Sequence, residues 1–160
     1  MDLMFRVSDS LENRQARIQR SIDEGEPAIA FILAAADLER TIRRAIVALS
    51  SGPTKEARET IEKKYKSIGA YEDGWKALVG AAGKPGLRDA VSDWDAVKKV
   101  FQTRNEIIHG KRATLSRERA TEEIAVILNA TAEVTSFAAR YEVNLMARMK
   151  IRRKPAEEPS

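Results

Sequence analysis

Pro27-Ala-Ile-Ala-Phe-Ile-Leu-Ala-Ala-Ala-Asp-Leu-Glu-Arg-Thr-Ile-Arg-Arg-Ala-Ile-Val-Ala-Leu49 is the most apolar run in the chain, and its periodicity decides the fold class. Phe31, Ala35, Leu38, Ile42, Ile46 and Leu49 recur at steps of three and four, the spacing of a buried helical stripe. Asp37, Arg40 and Arg44 are expected on the opposite face. Pro27 suits a first helical turn, and Ser50-Ser51-Gly52-Pro53 ends the segment. A helix apolar on so wide a face is a core helix, and the rest of the chain is read as what covers it.

Working outward, a thinner amphipathic helix precedes it, capped by Ser8 or Ser10 and reaching about residue 23 through Leu11, Ile18 and Ile22. It is expected to pack on the outside. After Pro53, a polar helix capped by Thr54 runs to about residue 66 on Ala57, Ile61 and Tyr65. Its end, Lys63-Lys64-Tyr65-Lys66, pairs basic and aromatic side chains as a nucleic-acid contact does, although such a run is more often a solvated face. A short helix over about 71–82 buries Trp75, Leu78 and Val79. Gly83-Lys84-Pro85-Gly86 lacks the spacing of a phosphate loop and reads as a turn.

Trp94, Val97, Phe101, Arg104 and Ile108 form the next helical seam, started by a Ser92/Asp95 capping box and closed by Gly110 in a left-handed conformation. Asp93 and Asp95 serve the cap and the helix dipole better than a metal. The last helix is expected from 116 to 151, with Ile124, Ile127, Thr131, Val134, Ala138, Tyr141 and Leu145 inward. At that length it reaches roughly 50 Å, beyond what the domain needs, so its end would protrude or pack on another chain. From Arg152 on, the residues read as a frayed tail. The domain is bounded at 1–152 and the flexible tail at 153–160. The architecture expected is all-α, an up-and-down bundle of about five or six helices with a long C-terminal helix.

Arg104 occupies a seam position otherwise given to large apolar side chains. A guanidinium there cannot lose its charge and needs a carboxylate, a polar cavity or an anionic ligand. Glu39, at the edge of the core face, is the candidate partner; pairing with Arg43 one turn on is the alternative. Asn105 and His109, four apart, share the rim of the same face. His109 is the only histidine, and the chain has no cysteine. Thiolate metal sites and disulfides are thus excluded and a zinc site is disfavoured. The stretch 98–119 holds seven cations (Lys98, Lys99, Arg104, Lys111, Arg112, Arg117, Arg119) against Glu106 and Glu118, while the whole chain carries a formal +4. Lys111 and Arg112, just past the motif, are candidate substrate-binding cations. What these residues allow is phosphate chemistry without metal or other cofactor. Histidine moves protons near neutral pH, and arginine grips a charged phosphorane. One histidine cannot conveniently serve one bond as acid and base together, and two copies facing each other across a dimer axis remove that difficulty.

Arg104-Asn105-Glu106-Ile107-Ile108-His109 resembles the motif of the HEPN family, helical domains whose active members carry an arginine, four to six residues and a histidine, often with a polar residue after the arginine. The resemblance spans about 27–149. Some members carry a tyrosine two residues after the histidine, where this chain has Lys111. It implies a homodimeric, metal-independent endoribonuclease acting on RNA, with Arg104, Asn105 and His109 catalytic, serving as a toxin or antiphage effector restrained by an antitoxin-like or other defence protein. The contrasting expectation is a non-catalytic helical adaptor that dimerises and binds a partner protein or nucleotide. No apolar run approaches a membrane span, residues 1–6 lack the pattern of a signal peptide, and the absence of cysteine fits a reducing compartment, so a cytoplasmic location is expected.

Overall fold

The structure, a computed structural model, describes residues 10–155. The candidate cap Ser8, residues 1–6 and tail residues 156–160 lie outside the described residues, as does the side chain of Leu11. Among the described residues seven helices follow one another: α1 (Leu11–Asp23), α2 (Pro27–Leu49), α3 (Thr54–Lys64), α4 (Ile68–Leu78), α5 (Leu87–Ala90), α6 (Trp94–Ile108) and α7 (Arg117–Ala139), with a short 3-10 turn at Gly80–Ala82. Among the described residues all regular structure is helical, as the periodicity predicts. The helix beyond the expected number is α5, a single turn. No helix among the described residues is long and apolar enough to cross a membrane.

α2 is the axle. It packs on α1, α3, α4, α6 and α7, most extensively on α7. Phe31, Ala35, Leu38, Ile42, Ile46 and Leu49 are all buried, as their spacing requires. Asp37, expected on the polar face, is buried as well, because α1 covers that side. Arg14 of α1 reaches it at 2.8 Å, and both side chains are almost fully covered. A helix with so few apolar anchors is thus tied to the core by a buried ion pair. Burial raises the Asp37 pKa above the ordinary carboxylate range, with Arg14 and then Arg40 pulling it back.

Two caps differ from expectation. Ser92 does not open α6; Asp93 does, accepting from the Ala96 amide at 3.0 Å. The Ser92 hydroxyl instead donates to Glu133 of α7, and Asp95 takes Arg88 and Lys98. Thr54 is the first residue inside α3 rather than its cap; its hydroxyl accepts from the Arg152 amide at 2.9 Å. Trp75 donates to the Pro85 carbonyl at 2.9 Å, which fixes the turn at Gly83 (φ 78°).

The largest correction concerns the C-terminus. α7 is 23 residues long, about 35 Å, and stops near Glu142, which takes a positive φ of 60°. Residues 140–155 fold back over α2 as an irregular strap. Arg44 donates to the carbonyls of Leu145 (3.0 Å) and Ala147 (2.7 Å). Leu145 is buried, though not on a helix. Tyr141, expected inward, is 38% exposed. Arg152 is no part of a frayed tail: its guanidinium donates to the carbonyls of Val47, Ala48 and Gly52. It thereby satisfies acceptors that the C-terminal end of α2 leaves open and neutralises the negative end of its dipole. Leu145→Ala is expected to cost about 2–4 kcal/mol in urea unfolding, whereas Ile151→Ala, at a 67% exposed strap position, changes the midpoint little. Equal effects would contradict the strap.

Candidate functional site

The motif occupies the last turn of α6. Trp94, Val97 and Phe101 are buried along the seam, but the seam runs out of partners before Ile108, which is 47% exposed instead of covered. Arg104 lies between these extremes. Its Nη2 stands 3.6 Å from Glu39 Oε2 on α2, both side chains half-buried, so the carboxylate expected to meet it does. Its Nη1 donates to Asn105 Oδ1 at 2.9 Å. The guanidinium is thus held by two acceptors and fixed in direction.

Burial raises the Glu39 pKa, while Arg104 and then Arg43 lower it. Both cations proposed as its partner therefore act on it. The sign follows: the folded chain binds this proton more readily than the unfolded chain, so Glu39 favours folding most in acid and less as pH rises through its folded pKa. Tyr71, buried on α4, is a residue the sequence reading missed at this site. Its hydroxyl is pushed up to about 12, first by burial and then by Glu39, with Arg43 and Arg104 opposing. Its position four before Trp75 on one helical face was the available clue.

His109 follows α6 as its C-cap residue, and its amide donates to the Asn105 carbonyl at 2.9 Å. Gly110 takes φ 69°, as predicted, and the amides of Lys111 and Arg112 both turn back to the Glu106 carbonyl. This C-terminal turn leaves His109 exposed. Asn105, Glu106, His109 and Lys111 line one open groove of about 340 Å³ with Lys98 and Gln102. Arg104 is not on that groove; it faces Glu39, and Asn105 is the link between the two. The site therefore has two parts, a fixed arginine and an open groove with the histidine.

The positive field is weaker in space than along the chain. Arg112 donates twice to Glu106, at 3.0 and 2.8 Å, so this candidate substrate-binding cation is already compensated. Lys98 pairs with Asp95 and Arg119 with Glu123. Arg117 donates to the Ile22 carbonyl. Folding thus sets five carboxylates, Glu106 and Glu118 together with Glu39, Asp95 and Glu123, against the seven cations of 98–119. Lys111 lines the groove and has no ion pair among the described residues. Tyr65 of the basic-aromatic run packs its ring against Gly74, where an added Cβ would lie 2.9 Å from it. That ring is engaged in packing. Asp93 and Asp95 are spent on a cap and on ion pairs.

No family model matches the chain, and no curated protein and no solved structure shows significant similarity to it.

Proposed function

We propose that the protein is a metal-independent endoribonuclease of the HEPN type, acting as a homodimer whose two motifs meet at one cleft. The observation that carries this is the pairing of a fixed Arg104 with an exposed His109 one turn on, bridged by Asn105. In the reaction, a ribose 2′-oxygen attacks the adjacent phosphorus while the bond to the 5′-oxygen breaks. One imidazole takes the 2′-hydroxyl proton and the partner's histidine protonates the departing 5′-oxygen. The products are a 2′,3′-cyclic phosphate and a 5′-hydroxyl. Arg104, held by Glu39 and Asn105, stabilises the phosphorane through the N–H groups those two acceptors leave open. Lys111 draws the strand toward the groove. The exposed Ile108, next to His109, gives a second copy an apolar contact beside the motif. A role as a toxin or antiphage effector in the cytoplasm, restrained by a partner protein, completes this reading.

A second reading is favoured by Arg112, which Glu106 compensates, and by Arg104, which already has acceptors in Glu39 and Asn105. It is a non-catalytic HEPN-like adaptor that dimerises and binds a partner protein or nucleotide. Incubating the purified chain with mixed RNA in EDTA separates the two. The nuclease reading expects cyclic-phosphate ends, no cutting of a 2′-deoxy substrate, and loss of cutting in His109→Ala. Folded dimers inert on every RNA would favour the adaptor, and a His109→Ala protein that cuts as well as wild type would refute the site.

A further inference from the structure

On the other side of Glu39, α2 presents Arg40, Arg43 and Arg44, at the spacing that places them on one helical face. With Arg58 of α3 they line an open groove of about 390 Å³, at whose edge lies Met149 of the strap. Only two carboxylates line it. Glu39 is shared between Arg104 and Arg43, so it and Glu62 offset only part of the charge of four guanidinium groups. None of the four forms a direct ion pair among the described residues. Arg44 spends its donors on the neutral carbonyls of Leu145 and Ala147, which leave its charge uncancelled.

Arginine cannot relieve such crowding by losing its proton. Arg40 and Arg44 are both held below the ordinary arginine pKa, first by burial and then by other arginines: Arg44 and Arg14 act on Arg40, Arg58 and Arg14 on Arg44. The buried Asp37 opposes this at Arg40 but is itself committed to Arg14. A merely solvated face would let these side chains spread apart. Here the strap carbonyls of Leu145 and Ala147 fix Arg44, and α2 and α3 carry the other three guanidinium groups around the same groove, so their mutual repulsion is of the kind a bound anion relieves.

We propose that this groove binds a ligand carrying two or more adjoining phosphate groups. Several flat forks around one concavity match a run of phosphate oxygens, each fork able to take two. The volume suits a small oligophosphate or a short length of nucleic-acid backbone. The site stands apart from the His109 groove and does not depend on cleavage.

Binding of tripolyphosphate and of a 2′-deoxy single strand of about 12 nucleotides to the full chain tests this, at low and high salt. At least one probe is expected to bind, more weakly as salt rises. Arg43→Gln with Arg58→Gln raises Kd about 100-fold, near tenfold for each guanidinium removed from the phosphates. The unliganded variant melts at the wild-type temperature or higher, because repulsion is removed; arginines that only braced the fold would lower it. Lys63→Gln with Lys64→Gln, exposed on α3 outside the groove, leaves Kd within about threefold. If the double arginine variant does not fold, Arg58→Gln alone, at an exposed position, carries the comparison. Binding of tripolyphosphate alone identifies a free oligophosphate, and binding of the strand identifies a nucleic-acid backbone. No binding of either probe, or binding that the arginine variants leave unchanged or that the lysine pair weakens equally, overturns the proposal.

Discussion

Asp37→Ala is expected to destabilise the protein by about 3–5 kcal/mol, the largest loss from any single substitution outside the apolar core. The cause is the group left behind. Arg14 is 2% exposed, and its guanidinium stays charged whatever surrounds it. With Asp37 gone, a buried cation loses the carboxylate 2.8 Å away, and the desolvation of its charge is less well offset. Changing both partners tests this cause. Arg14→Met with Asp37→Leu removes both charges and fills the space with apolar atoms, and should recover most of the loss or exceed wild type. Urea unfolding at constant slope measures both. A single variant losing under about 1 kcal/mol would mean that water already reaches Arg14. Because burial raises the Asp37 pKa, its proton favours the folded state. Wild type therefore gains on Asp37→Asn as pH falls through the carboxylate range and loses that gain as pH rises through the folded pKa.

This pair also marks the limit of what the sequence conveys. The stripe from Phe31 to Leu49 specifies a core helix because hydrophobic burial is periodic and local. Asp37 lies on the polar side of that stripe, and nothing local tells that α1 will cover it. The end of α7 is obscure for a related reason. Helix stops are legible when glycine or proline marks them, as at Gly110 and at Gly52-Pro53. Here the break falls at Glu142, a residue that seldom adopts a positive φ. What holds the strap down is Arg44 and Arg152 on main-chain carbonyls, bonds that span about a hundred residues and leave no pattern in composition. The α6 caps failed more simply: Ser92 and Asp93 were both competent, and the Glu133 carboxylate claimed Ser92.

The site was legible in the same uneven way. Arg104 on an apolar seam demanded an anion, and Glu39 at the edge of the facing stripe supplies it at 3.6 Å. That inference rested on a local rule at each end. The charge count of 98–119 rested on sequence adjacency alone, and folding diluted it with carboxylates from α2, α6 and α7. Tyr71 went unnoticed because a buried tyrosine resembles any core aromatic until its charged neighbours are placed.

His109→Ala is expected to lower RNA cleavage by about 10²–10⁴-fold, the usual contribution of a positioned proton-transfer group. Arg104→Ala is expected to cost about 10²–10³-fold, because the phosphorane no longer meets a fixed cation. Arg104→Lys should restore little, since an ammonium cannot engage Glu39 and Asn105 together in a planar fork. His109 is exposed at the C-cap and closes no core packing, so its variant should melt with wild type; a parallel loss of stability would assign the residue to structure. Mixing chains tests the dimeric site. If both histidines serve one bond, an equal mixture of wild type and His109→Ala that has exchanged subunits retains about one quarter of the wild-type rate, because only wild-type pairs act. Independent sites would retain about half. The difference is read in one initial-rate measurement, and the second outcome would remove the need for a partner histidine while leaving Arg104 and His109 as a single-chain site.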